Sequence, residues 1–342
     1  MMAVANTPPH IVAIEAIHCP IPTFDIPHTL TVHNWTSASE LAERIKDATV
    51  IITTTIRLSA REFSPDLTPR LRLVVAMGTG TDHIDKAAAN ARGIVVCNCP
   101  GANLESVSEH AIGMYFATRR KLLALTQATT SILPPPASDT EWKVKGSLRE
   151  RLQMADRKAP LSCRDETVGI IGFGALGKRI ARMAEGLGMS VLVAERKGGS
   201  PRNNRTSFED VLKTSTVLVL CLPRTPETFD LISTAELHMM PPQALLINVS
   251  RGGIVNEAAL LAALKSGRIS GAATDVFAIE PTGRADSPLL SAEAQGLNLI
   301  LTPHLAWYAE QTLTNIQALV KSNVESWYTG DVANEVKCQE LV

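Results

Sequence analysis

The sequence predicts an α/β protein built from doubly wound parallel sheets in two regions. Three observations predict it. Short Val-, Ile- and Leu-rich runs alternate with segments of helical periodicity along almost the whole chain. The stretch Thr167 to Glu195, TVGIIGFGALGKRIARMAEGLGMSVLVAE, reads as strand, glycine turn, helix, strand and acid. The later apolar runs end near residues able to do chemistry, Arg251, Asp275 and His304.

A chain of 342 residues has room for two domains. With 45% hydrophobic and 20% charged residues, a packed core is expected. A net charge of −1 gives no reason to expect nucleic acid or an anionic membrane as partner. Apolar runs are too short and too interrupted for a membrane span. MMAVANTPPH lacks the regions of a signal peptide, and CQELV is not a peroxisomal address. The expectation is a cytoplasmic enzyme acting on a small molecule. The six cysteines, Cys19, Cys97, Cys99, Cys163, Cys221 and Cys338, contain no C-x-x-C pair, so they read as buried free thiols with no metal site.

In chain order, Ile11–Ile17, Leu30–Val32, Ala48–Thr54, Leu71–Met77 and Ile94–Cys97 read as strands, with a helix over Ser37–Ile45. Met77-Gly78-Thr79-Gly80 ends a strand in a glycine-rich loop. It is either a strand-to-helix turn capped by Asp82 or Asp85, or a loop whose N–H groups bind a carboxylate. A long helix follows Asn103 and crosses between domains. Its end, Arg119-Arg120-Lys121, reads as a solvated basic run. Residues 126–165 read as irregular, with Ser131–Thr140 an exposed proline-rich loop anchored by Trp142.

In the organising stretch, Gly172 permits a tight turn, Gly174 lets the backbone approach a pyrophosphate, and Gly177 lets helix and strand pack closely. The helix N-terminus offers unpaired N–H groups to phosphate. Glu195 lies where a carboxylate meets the adenosine ribose hydroxyls, which favours NAD. Arg196, Lys197, Arg202 and Arg205 can instead cradle a 2′-phosphate, so NADP stays open. Helix Phe208–Lys213, strand Val217–Leu222, strand Ala244–Val249, helix Glu257–Lys265, strands Ser270–Asp275 and Leu299–Thr302, and a helix over Glu310–Tyr328 complete the chain.

Ligands in doubly wound sheets bind beyond the carboxyl ends of the strands. Arg251, Glu280 and His304 converge there as a set suited to 2-oxo acid reduction. Arg251 grips a carboxylate through its planar fork. His304 gives a proton to the carbonyl oxygen, and Glu280 holds its imidazole and favours the charged ring. Asp275 accepts from the nicotinamide amide. His18, His28, His33, His83, His110 and His238 read as ordinary hydrogen-bonded histidines.

With IGFGALG, INVSRGGIVNEAALLAAL, ATDVFAIEP and LTPHLAW in hand, nearly the whole chain resembles the D-isomer-specific 2-hydroxyacid dehydrogenases. The resemblance implies two Rossmann-like domains with an active-site cleft between them. The substrate domain is then residues 1–122 completed by 310–342, and the dinucleotide domain 123–309. It implies Arg251, Glu280 and His304 as the catalytic set, and substrate contacts from Met77, Gly78, Thr79 and Gly80 beside Arg251 and His304. It implies cofactor contacts from Thr79, Ala175, Leu176, Glu195, Leu222, Pro223, Val249 and Asp275, and a homodimer. Within the family NCPGANLESVSEHA, AERKGG and TPHLAW look most like glycerate dehydrogenase (hydroxypyruvate reductase), so hydroxypyruvate or glyoxylate is the expected substrate. Phenylpyruvate or branched 2-oxo acids share the catalytic set. Phosphite oxidation and an NAD-sensing corepressor-like role use the same scaffold. Cys221 and the leader Cys163–Thr167 depart from the family pattern without removing a catalytic group. Trp307 either narrows the pocket or packs between domains.

Overall fold

The computed structural model describes residues 7–336, so Cys338 and the segments 1–6 and 337–342 lie outside the description. The described residues divide into two units, 7–103 with 308–336, and 104–307.

The first unit holds a parallel sheet of five strands: β1 (His10–Ala13), β2 (Thr29–Val32), β3 (Val50–Thr53), β4 (Leu73–Ala76) and β5 (Val95–Cys97), in the order β2-β1-β3-β4-β5. β3 and β4 are buried along their whole length, as strands covered on both faces must be. One face carries Val12, Ile14, Ile51, Val74 and Val96, packed with Leu41 and Ile45 of α1 (Ala38–Ile45) and Ala89 of α2 (Lys86–Ala91). Asp85 caps α2, its carboxylate accepting the Ala88 N–H at 3.0 Å.

The second unit begins with α3 (Leu104–Arg119), α4 (Leu122–Thr130), α5 (Glu141–Lys145) and α6 (Arg149–Leu152). Its six parallel strands are β6 (Thr167–Ile171), β7 (Ser190–Val193), β8 (Val217–Leu220), β9 (Leu245–Asn248), β10 (Gly271–Thr274) and β11 (Leu299–Leu301), in the order β11-β10-β9-β8-β6-β7. Helix α7 (Ala175–Gly186) joins β6 to β7. Helices α8 (Phe208–Thr214), α9 (Thr234–Met239) and α10 (Glu257–Lys265) lie between the later strands. Alternate residues face opposite layers. Val168, Ile170, Val219, Ile247 and Ala273 pack with Val107, Ala111 and Met114 of α3 and Ile180 and Ala184 of α7. Ile171, Leu218, Leu220, Leu246 and Ala272 pack with α8, α9 and α10 through Val211, Leu237 and Leu260. Helix α11 (Glu310–Thr329) returns to the first unit and packs on β4, burying Ile316, Val320 and Val324.

Three expectations change. The first break falls after Asn103, not at 122, because the apolar face of α3 is part of the second unit's core. Arg119 is not a solvated helix end. It is 1% exposed, and its Nε and Nη2 donate to Glu166 at 2.6 and 2.9 Å while Nη1 donates to the Gln243 carbonyl. The segment 126–165 is not irregular throughout, since it contains most of α4 with α5 and α6. Its buried anchor is Glu141, which takes Arg151 at 2.6 Å and Lys145 at 2.9 Å, whereas Trp142 is 56% exposed.

Candidate functional site

In the second sheet the strand order turns back between β6 and β8, and that is where an open α/β sheet offers a crevice. The glycines stand there with three different jobs. Gly172 follows β6 with φ +92°, and a Cβ on it would sit 2.4 Å from the Cys221 carbonyl oxygen. A Cβ on Gly177 would sit 2.2 Å from the Gly172 oxygen, so helix and turn touch only because it is glycine. A Cβ on Gly174 would meet nothing within 4 Å. Of these three, the glycine with open space is therefore the N-cap of α7. Lys178 N–H is the first to reach back, to the Gly174 carbonyl at 3.0 Å, so the N–H groups of Gly174, Ala175, Leu176 and Gly177 come ahead of the first intrahelical donor. Leu222 and Pro223, after β8, and the buried Val249, after β9, lie on the same sheet edge. This arrangement fits a dinucleotide.

Glu195 is already engaged. Arg202 donates from Nε and Nη2 at 2.7 Å each, and the N–H groups of Arg196 and Arg202 donate at 2.9 and 3.2 Å. The Arg202 fork, helped by those N–H groups, holds the Glu195 carboxyl down at about 2. Four accepted bonds match the lone-pair capacity of a carboxylate. Lys197 is paired with Glu236 at 2.7 Å, and Arg205 lies over the Phe173 ring at 5.1 Å. The sequence offers Arg202 as a phosphate ligand, and the structure makes it the partner of the acid.

The ends of β9, β10 and β11 are neighbours and bring the remaining residues together. His304 follows β11 with φ +56°, and its Nδ1 lies 2.6 Å from Glu280 Oε2. A carboxylate can only accept, so Nδ1 carries the proton and Nε2 is the atom left to exchange one. The Phe277 N–H donates to the other Glu280 oxygen at 2.7 Å. Partial burial pushes the Glu280 carboxyl up, but the His304 hydrogen bond and charge, the Phe277 N–H and the Arg251 charge outweigh it, leaving a net lowering. The Arg251 turn is fixed by Asn248, whose Oδ1 accepts from Ser250 N and Oγ while its Nδ2 donates to the Arg251 carbonyl at 3.0 Å. Arg251 Nη1 donates to the Ser250 carbonyl at 2.7 Å.

Asp275 is 1% exposed, and its carboxylate accepts Thr302 Oγ1 at 2.6 Å and the N–H groups of Leu305 and Ala306 at 3.0 Å each. Its main-chain carbonyl accepts the His304 N–H at 2.7 Å. Asp275 thus holds the turn that carries His304, a duty its sequence position does not announce.

In the first unit the glycine loop follows β4. Met77 is buried, and Thr79 is exposed, its hydroxyl within 3.1 Å of the Cys99 carbonyl and of Asn103 Oδ1. This sheet also has a reversal point, between β1 and β3, and the chain fills it itself. Glu15 accepts the N–H groups of Thr54, Thr55 and Ile56 at 2.7 to 2.9 Å and the hydroxyls of Thr53 and Thr55. Those N–H groups and hydroxyls, with His18 close by, outweigh burial and hold the Glu15 carboxyl far below the ordinary carboxylate range.

Sequence reasoning missed Gly252. A Cβ there would sit 1.7 Å from the Phe277 carbonyl oxygen, so only glycine lets the Arg251 turn lie against the Phe277–Glu280 loop. It also missed Glu257, which takes the Ala278 N–H at 2.8 Å and the Ser287 hydroxyl at 2.5 Å and braces the same loop. The double glycine after Arg251 was the available signal for the first; no periodicity marks the second.

Comparison with known proteins shows the family. A family model described as D-isomer specific 2-hydroxyacid dehydrogenase, NAD binding domain, matches residues 137–306. A glycerate dehydrogenase of Methylorubrum extorquens is 35% identical over 326 residues, covering 94% of this chain and 96% of that protein. A glyoxylate reductase of Thermococcus gammatolerans is 33% identical over 308 residues, covering 88% and 86%. The crystal structure of an NADPH-dependent glyoxylate/hydroxypyruvate reductase from Sinorhizobium meliloti, with NADP and malonate, superposes with a TM-score of 0.74 at 28% identity, covering 96% of this chain and 97% of that one. The chain belongs to the D-isomer specific 2-hydroxyacid dehydrogenases. It is an oxidoreductase that uses a nicotinamide dinucleotide to reduce 2-oxo acids.

Proposed function

We propose that the chain reduces hydroxypyruvate or glyoxylate to the corresponding D-2-hydroxy acid, with His304 as proton donor, Glu280 as its partner and Arg251 as the ligand of the substrate carboxylate. The observation that carries the reading is the 2.6 Å contact between His304 and Glu280, on strand ends adjacent to that of Arg251. Glu280 fixes the ring through Nδ1, so Nε2 is the nitrogen that passes a proton to the carbonyl oxygen. Arg251 orients the acid by its fork and draws charge from the neighbouring carbonyl. A dinucleotide held at the Gly172–Gly177 turn would supply the hydride to carbon. The choice of hydroxypyruvate or glyoxylate is supported by relatives named glycerate dehydrogenase and glyoxylate reductase. The Met77–Gly80 loop is assigned the substrate carboxylate on the family resemblance.

NADH is the proposed cofactor because an acid, Glu195, stands at the ribose position. A specific observation favours NADPH as a second reading, since Arg202 neutralises that acid, Arg196 follows it, and Arg205 Nη1 donates to the carbonyl of the preceding Ala194 at 3.2 Å. A homodimer in the cytoplasm completes the proposal, and sedimentation of the purified protein tests the dimer. Among the described residues no helix is long and apolar enough to cross a membrane.

The test is oxidation of NADH and NADPH against hydroxypyruvate, glyoxylate, pyruvate and phenylpyruvate. The reading expects the first two to be turned over most efficiently. Preference for phenylpyruvate contradicts the substrate and leaves the mechanism. Absence of turnover on all four contradicts both.

A further inference from the structure

Helix α3 reaches the turn that carries His304 through two side chains one helical turn apart. Ser106 Oγ donates to the Trp307 carbonyl at 3.1 Å, and His110 Nε2 lies 3.1 Å from Thr302 Oγ1. Residues four apart share one face of a helix, so these two grip the beginning and the end of the segment 302–307 together. The protons can be placed. Thr302 has one hydroxyl proton and gives it to Asp275 Oδ1 at 2.6 Å. Its oxygen is then an acceptor towards His110, so His110 Nε2 carries a proton and donates. The same nitrogen lies 3.8 Å from Asp275 Oδ1. The chain of bonds runs from His110 to Thr302, to Asp275, and from Asp275 to the N–H groups of Leu305 and Ala306 on one side and His304 on the other. His304 itself has a left-handed backbone, φ +56°, which a non-glycine residue keeps only where its surroundings over-determine it. Trp307 Nε1 adds a bond to the His304 carbonyl at 2.8 Å.

We propose that His110 is a positioning residue for catalysis: it donates to Thr302 so that the Asp275 clamp holds His304 in its strained turn with Nδ1 on Glu280. His110 acts through His304 and touches no reacting atom, so the proposal rests on the assignment of His304 as proton donor. In the sequence His110 is one of several ordinary histidines, and nothing in its helical setting marks it. Its role comes from what the end of β11 places opposite it.

The experiment is a double-mutant cycle on the full-length enzyme, His110→Ala against His304→Ala, with hydroxypyruvate and saturating NADH, and NADH binding measured separately by fluorescence. Misplacing a catalytic group by about 1 Å costs on the order of a hundredfold. His110→Ala is therefore expected to lower kcat by roughly ten- to a hundredfold, with NADH affinity held within about twofold. In the His304→Ala background the same change adds less than about twofold, because the two act as one unit. His110→Gln, whose amide N–H reaches near the position of Nε2, restores most of the loss. If His110→Ala keeps wild-type kcat while His304→Ala is inactive, the positioning role is overturned and the His304 assignment stands. The positioning role is equally overturned if the loss is as large in the His304→Ala background, or if it appears equally in NADH affinity. If His304→Ala keeps full kcat, the assignment of His304 falls and the positioning role with it.

Discussion

Replacing Gly252 by alanine puts one methyl group where the backbone of another loop stands. The added Cβ would lie 1.7 Å from the Phe277 carbonyl oxygen, 1.9 Å from its carbon and 2.6 Å from Ala278 N. Ordinary contact needs roughly 3.5 Å, so the two loops must part by about 1.5–2 Å. Neither is a flexible side-chain end. One loop carries Arg251; the other carries the Phe277 N–H that holds Glu280 at 2.7 Å, and Glu280 in turn holds His304. Overpacking of this kind costs about 1–3 kcal/mol of stability. The larger effect is on rate: a displacement of that size separates the carboxylate-binding group from the proton donor and costs on the order of a hundredfold or more in kcat/KM. The assay is steady-state reduction of hydroxypyruvate, with NADH binding and thermal unfolding in parallel. A Gly252→Ala enzyme within about threefold of wild type in kcat/KM would refute the coupling of these loops.

Arg119→Ala leaves Glu166 buried with the Tyr115 and Thr216 hydroxyls and no cation, which should cost about 3–5 kcal/mol in denaturant titration; a loss below about 1 kcal/mol would mean that the pair is not a structural staple. Arg202→Ala frees Glu195 to meet ribose hydroxyls and to repel a 2′-phosphate, so the NADH to NADPH ratio of kcat/KM should rise roughly tenfold, and an unchanged ratio would remove Arg202 from cofactor choice. The Glu280 carboxyl is lowered in the folded enzyme, so its pairing with His304 is present above the ordinary glutamate range and is lost as pH falls through the lowered value. The kcat profile should therefore stay level below about pH 4.3 before it falls, whereas Glu280→Gln should show a lower plateau without that fall; an acid limb unchanged by the substitution would assign it to another group.

The strands, the glycine turn and the three strand-end residues were legible because each is local. A buried parallel strand announces itself as an apolar run, and Gly172, Gly174 and Gly177 sit at spacings that only a few turns require. Helix α10 begins and ends where its periodicity says. What was not legible depends on a partner far away in sequence. Arg119 looks like the first of three exposed cations until Glu166 is placed beside it. Arg202 looks like a phosphate ligand until the loop brings it back to Glu195. Gly252 looks like half of a flexible pair until Phe277 stands against it. His110 sits on a helix whose buried face gives no hint of Thr302. Trp142 looks like an anchor on hydrophobicity alone, while the buried side chain next to it is a glutamate neutralised by Arg151 and Lys145.

The most direct test of the central claim is the His304→Gln enzyme, which keeps a polar side chain but has no ring nitrogen to protonate. Hydroxypyruvate-dependent oxidation of NADH is measured beside the dissociation constant for NADH. Loss of a general acid is expected to lower kcat by about a hundred- to ten-thousandfold, with NADH binding unchanged within about twofold. A kcat near the wild-type value, or a loss of NADH affinity that accounts for the whole defect, would contradict the assignment of His304 as proton donor.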